Sequence, residues 1–263
     1  MSGTLPRDRP VVLLPPSKGK ADGGTEPAYT EVVDRGALGG SRRRVLDHVG
    51  AAAVAVEDAA LARLAGVAAR DVHATRAQLA GLDTAPTLPA RVRYTGVVHN
   101  NAGLAHLDAA TAGAEVLVLS ALLGVVESEE PVPAYRLELA ASLPPLGGLA
   151  TFWRDAMADH LAARLAGRQV LDLLPGAHAR AVAPGVRAAA EVVQVRFVTP
   201  AGRAANAART KVAKGRLVAQ LLAAPGAEST DLTPQRLARH LEPGQGWQLE
   251  ARDAATLVAV YRG

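Results

Sequence analysis

Lysine is rare in this chain. Of 29 Lys and Arg residues only four are lysine: Lys18 and Lys20 near one end, Lys211 and Lys214 near the other. A guanidinium is planar and stays charged, whereas an ammonium is compact, flexible and titratable. A sequence that writes nearly every other cation as Arg points to chemistry at its lysines, either as point charges for phosphate or as titratable amines. A second constellation is Tyr135-Arg136-Leu137-Glu138, which follows two prolines and offers a general acid, a fixed cation and a carboxylate base. For an enzyme, the candidate catalytic set is therefore Lys18, Tyr135, Arg136, Glu138 and Lys211.

The elements that must position these groups can be read from hydrophobic patterning. Val11–Leu14 is a short apolar run stopped by Pro15-Pro16 and followed by Ser17-Lys18-Gly19-Lys20, which reads as a buried strand and a loop. The loop lacks the GxxxxGK[ST] spacing of a phosphate-binding P-loop. Residues 116–119 form a second apolar run ending at Ser120, with the Tyr-Arg-Leu-Glu segment presented beyond it. The spacing from residue 41 to 82 predicts two or three amphipathic helices, with Arg42-Arg43-Arg44 as a solvated helix start. Pro86 to Pro89 breaks the pattern. Residues 91–98 then alternate like a strand that puts Arg91 and Arg93 on one face.

Further along, 149–166 reads as one helix with Phe152 and Trp153 as core anchors, and 169–174 and 192–198 read as strands. Lys211 and Lys214 are three apart and share a face of a helix ending near residue 222. Cations at a helix start oppose its dipole, which fits a role in meeting an anion there. Thr233-Pro234 opens a last short helix, and residues 247–250 pair with 257–260 in a closing hairpin. The element order favours a mixed α/β or α+β protein, organised as a single domain with residues 1–10 as a loose lead-in.

Composition excludes several classes. With no cysteine, disulfides, thiolate catalysis and Cys-ligated zinc are ruled out. Aromatics are 3% of residues, too few for stacking on bases as a general strategy. His99 and His106 have no carboxylate at ligand spacing and read as ordinary polar histidines, so no metal is expected. No signal core or apolar run of membrane-spanning length is evident, so a soluble, cytoplasmic, monomeric protein is expected. A net charge of +4 and a pI near 9.7 favour an anionic partner.

Five segments taken in order resemble the YaaA family of bacterial peroxide-stress proteins: LLPPSKGK at 13–20, RYTGVVHNNAGL at 93–104, VLSALLGVVESEEPVPAYRLELAASL at 118–143, FWRDAMADHL at 152–161 and TKVAKGRL at 210–217. The resemblance implies a YaaA-type fold with a central mixed sheet, flanking helices, a helix-hairpin-helix-like element and a basic cleft. It also implies DNA binding that limits oxidative damage, and no cofactor. It places in the cleft either Lys18 or Lys20, together with Tyr135, Arg136, Glu138, Lys211 and Lys214. Ser17, Arg93, Thr95 and Arg216 lie in the same motifs and complete the ligand-contacting or DNA-contacting set.

The chain departs from the family where an Arg-Pro and an Asp are usual and Glu127-Ser128-Glu129-Glu130 stands instead. Leu123 replaces a tyrosine, 174–178 lacks an acidic residue and a tyrosine, and Ala207-Ala208-Arg209 replaces a Ser and an aromatic. The acidic loop would repel a phosphate backbone wherever it faced one, which suggests a diverged, actinobacterial-type member. Two functions follow as expectations: DNA binding through the basic cleft, or catalysis in that cleft on a small anionic substrate such as a nucleotide or carboxylate.

Overall fold

The computed structural model describes residues 9–223, 232–233, 237, 246–251 and 255–262. The strands are β1 (Val11–Leu14), β2 (Glu26–Ala28), β3 (Pro86–Pro89), β4 (Glu115–Ser120), β5 (Gly124–Glu127), β6 (Pro131–Pro133), β7 (Ser142–Leu143), β8 (Gly147–Gly148), β9 (Gln169–Asp172), β10 (Glu191–Val198), β11 (Trp247–Ala251) and β12 (Thr256–Tyr261). The helices are α1 (Tyr29–Val32), α2 (Gly39–Ala55), α3 (Asp58–Ala65), α4 (Val72–Ala80), α5 (Ala90–Arg93), α6 (Val97–Asn101), α7 (Leu149–Ala156), α8 (Ala158–Leu165), α9 (Gly176–Arg180), α10 (Pro184–Ala188) and α11 (Ala207–Ala223).

The protein is a mixed α/β fold. Its main sheet has seven strands in the order β11-β12-β10-β9-β1-β4-β5. β12, β10, β9, β1 and β4 run parallel, while β11 and β5 are antiparallel at the two edges. β1 and β4 are buried along their whole length, as a parallel strand covered on both faces must be. That explains why β1 and residues 116–119 of β4 are unbroken apolar runs rather than alternating ones. β10 alternates instead, as a strand covered on one face does, with Val193, Val195 and Phe197 buried and Gln194 and Arg196 exposed. From β1 the chain moves to β4 on one side, then returns to β9 on the other, so strand order reverses at β1. In open α/β sheets, ligands bind beyond the carboxyl ends of the strands at such a reversal.

Several expectations are corrected. Residues 91–98 are not a strand: α5 ends at Arg93, Tyr94 makes a single antiparallel bridge to Lys20, and α6 starts at Val97. No ladder is present, and the adjacent Arg93 and Tyr94 are both buried by partners distant in sequence, among them Val132 O and Tyr135 Oη. The proline segment 86–89 is itself the strand, at the centre of the small sheet β2-β3-β6, with its prolines at the two ends. The single helix of 149–166 is two helices that break at Met157.

The arginine triplet is only partly solvated. Arg42 is buried and donates to the carbonyls of Leu123 (2.9 Å) and Val125 (2.8 Å), Arg43 pairs with Asp34 at 2.6 Å, and Arg44 lies 5.2 Å from the Phe152 ring. The lead-in is docked where it is described, since Arg9 donates to Ala109 O and Ala110 O. Residues 1–8 lie outside the described residues, as does most of the short helix expected at Thr233-Pro234.

The expectations for the helices of 41–82, for Trp153 and for the closing hairpin hold. Three helices occupy 39–80, Trp153 is fully buried with Nε1 donating to Ala121 O at 2.8 Å, and the hairpin pairs Leu249 with Ala259. Among the described residues no helix is long and apolar enough to cross a membrane, and no group of His, Asp and Glu is arranged to hold a metal.

Candidate functional site at the carboxyl end of the central strands

The prolines after Leu14 release the chain from the sheet, and residues 17–20 then lie against 94–96. Thr95 N donates to Gly19 O (3.2 Å), and Ala21 N donates to Arg93 O (2.9 Å). The approach is close because glycine stands at Gly96, where a Cβ would come within 2.5 Å of the Ser17 Cβ. Ser17 is buried and its hydroxyl donates to Gly19 O, tightening the loop upon itself. Two of the family-like segments are thus one structural unit.

Lys20 is the centre of that unit. Its Nζ donates to Ser17 O at 2.9 Å and lies 4.1 Å from the ring centroid of Tyr135 and 5.5 Å from that of Tyr94. Burial, then the charges of Arg136 and Arg93, lower the amine to a pKa of about 7, against a weaker upward pull from Glu138.

The two rings are fixed from behind. Ser120, the last residue of β4, accepts from the amides of Leu122 (3.2 Å) and Leu123 (3.0 Å). With both its lone pairs engaged, its single proton is directed to Tyr135 Oη at 2.7 Å, and Tyr135 donates on to Tyr94 Oη at 3.2 Å. Burial pushes Tyr135 up to about 12 and Tyr94 well above its usual value, so both stay phenolic. Tyr135, expected as a general acid, turns its ring to the amine while its buried hydroxyl is bonded to Ser120 and Tyr94. His99 lies 5.4 Å from Tyr94, ring to ring, with its Nε2 buried and unpartnered. Burial and the nearby Lys20 charge bring it down to about 4, so it is neutral.

Around this amine stand groups of the Tyr-Arg-Leu-Glu segment. Glu138 pairs with Lys18 at 3.1 Å; Lys18 is the more exposed partner and also reaches Gly66 O. Arg136 is half-buried and makes neither a hydrogen bond nor an ion pair among the described residues. A half-buried guanidinium without an acceptor is a ready counter-charge for an incoming anion. His178, in α9 just beyond β9, is lowered by burial and feels Glu138.

The second lysine cluster arrives on α11. Asn206 Oδ1 accepts from the amides of Ala208 (2.9 Å) and Arg209 (3.3 Å) and so starts the helix. Gly215 then lets α11 press on α6, where a Cβ would fall 2.6 Å from Val98 O. Lys214 is half-buried and donates to Leu173 O at 3.0 Å, beside the carboxyl end of β9, and burial lowers its amine. Lys211 is exposed one turn earlier. Arg216 is exposed but about 200° around the helix from Lys214, so it does not join the cluster.

Arg93 is held apart from ligand contact by its own partners. Its guanidinium donates to the carbonyls of Val132 (2.9 Å), Gly23 (2.8 Å), Pro86 (3.1 Å) and Ala21, tying together the walls of the loop. Thr95 is exposed above Gly19.

The acidic loop does not present free charge. Glu127 pairs with Arg164 at 2.8 Å, Glu129 with Arg91 at 2.6 Å, and Glu130 with Arg42 at 2.9 Å. Each glutamate therefore faces an arginine. The expected repulsion of a phosphate backbone by these three residues loses its basis.

Sequence reasoning missed Tyr94, Ser120 and His99 as members of the site. Ser120 was visible as the polar end of the apolar run 116–119. Tyr94 was hidden by the strand-like alternation around it, and no pattern in the sequence marks its contact with residue 135.

The family described as peroxide stress protein YaaA matches residues 11–238, which include every segment of the site. A UPF0246 protein of Streptomyces coelicolor is 35% identical over 217 residues, covering 81% of this chain and 83% of that protein. A UPF0246 protein of Corynebacterium glutamicum is 33% identical over 146 residues, covering 52% of this chain and 54% of that protein. On the extent of these matches, the chain belongs to the YaaA family of peroxide stress proteins.

Proposed function

We propose that this YaaA-family protein is a cytoplasmic enzyme that takes a small anionic substrate at the carboxyl ends of β1, β4 and β9, with Lys20 as its reactive amine and Arg136 as its anion anchor. The observation that carries this reading is the placement of Lys20: an amine sunk between two tyrosine rings with no carboxylate paired to it among the described residues. Burying an uncompensated amine costs stability, and such costs are retained where chemistry needs a titratable group. Three of the four lysines already have acceptors, at Ser17 O, Leu173 O and Glu138. This suits a shaped pocket better than a track for a polymer. The test is a thermal shift with small carboxylates, phosphates and nucleotides. A rise in melting temperature that Arg136→Gln abolishes supports the reading, and no shift with any of them sinks it.

DNA binding is the second reading, favoured by the pairing of Glu127, Glu129 and Glu130 with arginines, which leaves the exposed Lys18 and Lys211 without an acidic rival in that loop. It would give the protein a direct protective role in peroxide stress. Binding of duplex and bubble DNA that falls steeply with salt, and is lost in Lys18→Ala, Lys211→Ala, is its signature. Unchanged binding in that double variant would place the contact elsewhere.

A further inference from the structure

We propose that Lys20 is a carbonyl nucleophile: its Nζ condenses with the aldehyde or ketone carbon of a small oxo acid, whose carboxylate is received by Arg136. This rests on the small-substrate reading and names its substrate class. Three features of the site argue for it. The amine has a single backbone acceptor and no paired carboxylate among the described residues, so little holds it as an ammonium. Burial and the neighbouring arginines act in the same direction, leaving much of it as free amine near neutral pH. Finally, the Tyr135 and Tyr94 faces keep water away from two sides and would stabilise the cation of a protonated imine just as they meet the ammonium now.

The step balances without a redox partner. The nitrogen lone pair forms the C–N bond while the carbonyl π pair moves to oxygen, and a proton passes from nitrogen to that oxygen. One further proton from solvent lets the hydroxyl leave as water, giving the iminium. Arg136 binds the carboxylate through a pair of parallel N–H donors, which fixes the carbonyl with respect to Lys20. Tyr135, Tyr94 and Ser120 hold position and exchange no proton in the step.

The experiment is reductive trapping on the full chain with glyoxylate and cyanoborohydride, read by peptide mass mapping, for which a chain of four lysines is well suited. Access to solvent alone would label exposed Lys18 and Lys211 first and half-buried Lys20 late. We expect Lys20 to be modified at least about 10-fold faster than the other three at neutral pH, because a far larger fraction of it is free amine. Its rate should rise through a midpoint near pH 7. Arg136→Gln should slow trapping of glyoxylate but not of uncharged formaldehyde. The inference is overturned if adducts follow exposure, with Lys18 leading, in a protein that melts normally. If carboxylates raise the melting temperature yet Lys20 is not trapped, the inference fails and the small-substrate reading stands. Should formaldehyde select Lys20 while no anion binds, the nucleophile is upheld and the oxo-acid assignment and that reading fall.

Discussion

Arg93 and Lys20 are neighbouring interior cations treated in opposite ways. Arg93 is fully buried and donates to four backbone carbonyls from three separate segments. Lys20 donates to one carbonyl and otherwise faces aromatic rings. The guanidinium keeps its charge and replaces its water with acceptors; the ammonium lacks such acceptors, so its neutral form gains ground. The same division runs through the molecule. Arg42, Arg164 and Arg168 brace β4, β5 and the acidic loop, whereas the lysines gather at the open ends of β1 and β9.

The largest effect that could break this comparison is on stability. Arg93→Met leaves the buried carbonyl of Val132 and the part-buried carbonyls of Ala21, Gly23 and Pro86 without their donor, and we expect a loss of about 3 kcal/mol in the urea unfolding free energy. A loss below about 1 kcal/mol would mean that the guanidinium is not the tie its hydrogen bonds imply.

His99 gives the next effect. Its folded value of about 4 lies below the ordinary 6.5, so the unfolded chain takes up a proton first as pH falls. The stability tied to neutral His99 is complete above pH 6.5 and is lost between there and pH 4, by about 3 kcal/mol in all. His99→Leu should flatten that part of the pH–stability curve. An equally steep curve in the variant would assign the dependence to other groups.

Lys20 has the same sign on the alkaline side. Its folded value near 7 is below the free lysine value of 10.5, so stability should rise with pH across that interval as the unfolded chain's excess proton is lost. Lys20→Met should stabilise the protein at neutral pH by roughly 2 kcal/mol, the cation–π contact offsetting part of the burial cost, while abolishing ligand-dependent thermal shifts. Lower stability in that variant would show that Lys20 holds the loop as Arg93 does.

What the sequence disclosed and what it hid follow the same division. Buried parallel strands need continuous apolar runs, so β1, β4 and β9 were legible, and the rarity of lysine drew attention to residues 18, 20, 211 and 214. The side-chain partners were not legible, because they depend on contacts across long separations. Arg42 reaches Val125, Tyr94 meets Tyr135, and Glu129 meets Arg91. A run such as Glu127-Ser128-Glu129-Glu130 looks like surface charge until the facing helices are known. Likewise the alternation of residues 91–98 could not reveal that Pro89 ends a strand and that the amides of Ala90 and Arg91 bond to Glu130 O and Ser128 O, starting a helix.

The smallest predicted effect sharpens the contrast between the two ends of the molecule. Glu129 is more than half exposed and its partner Arg91 also donates to Ala105 O at 2.8 Å, so the pair is one support among several. Glu129→Gln should cost less than about 1 kcal/mol, the usual range for an exposed ion pair, and the loss should shrink further in high salt. Because the carboxylate faces Arg91, removing its charge should also leave ligand or DNA affinity within about 2-fold of the parent at moderate ionic strength. A marked gain in DNA binding would mean that this loop does oppose the phosphate backbone. An unchanged affinity, beside a loss in Lys18→Ala, Lys211→Ala, would confine recognition to the lysine end and leave the arginine-braced loop as structure.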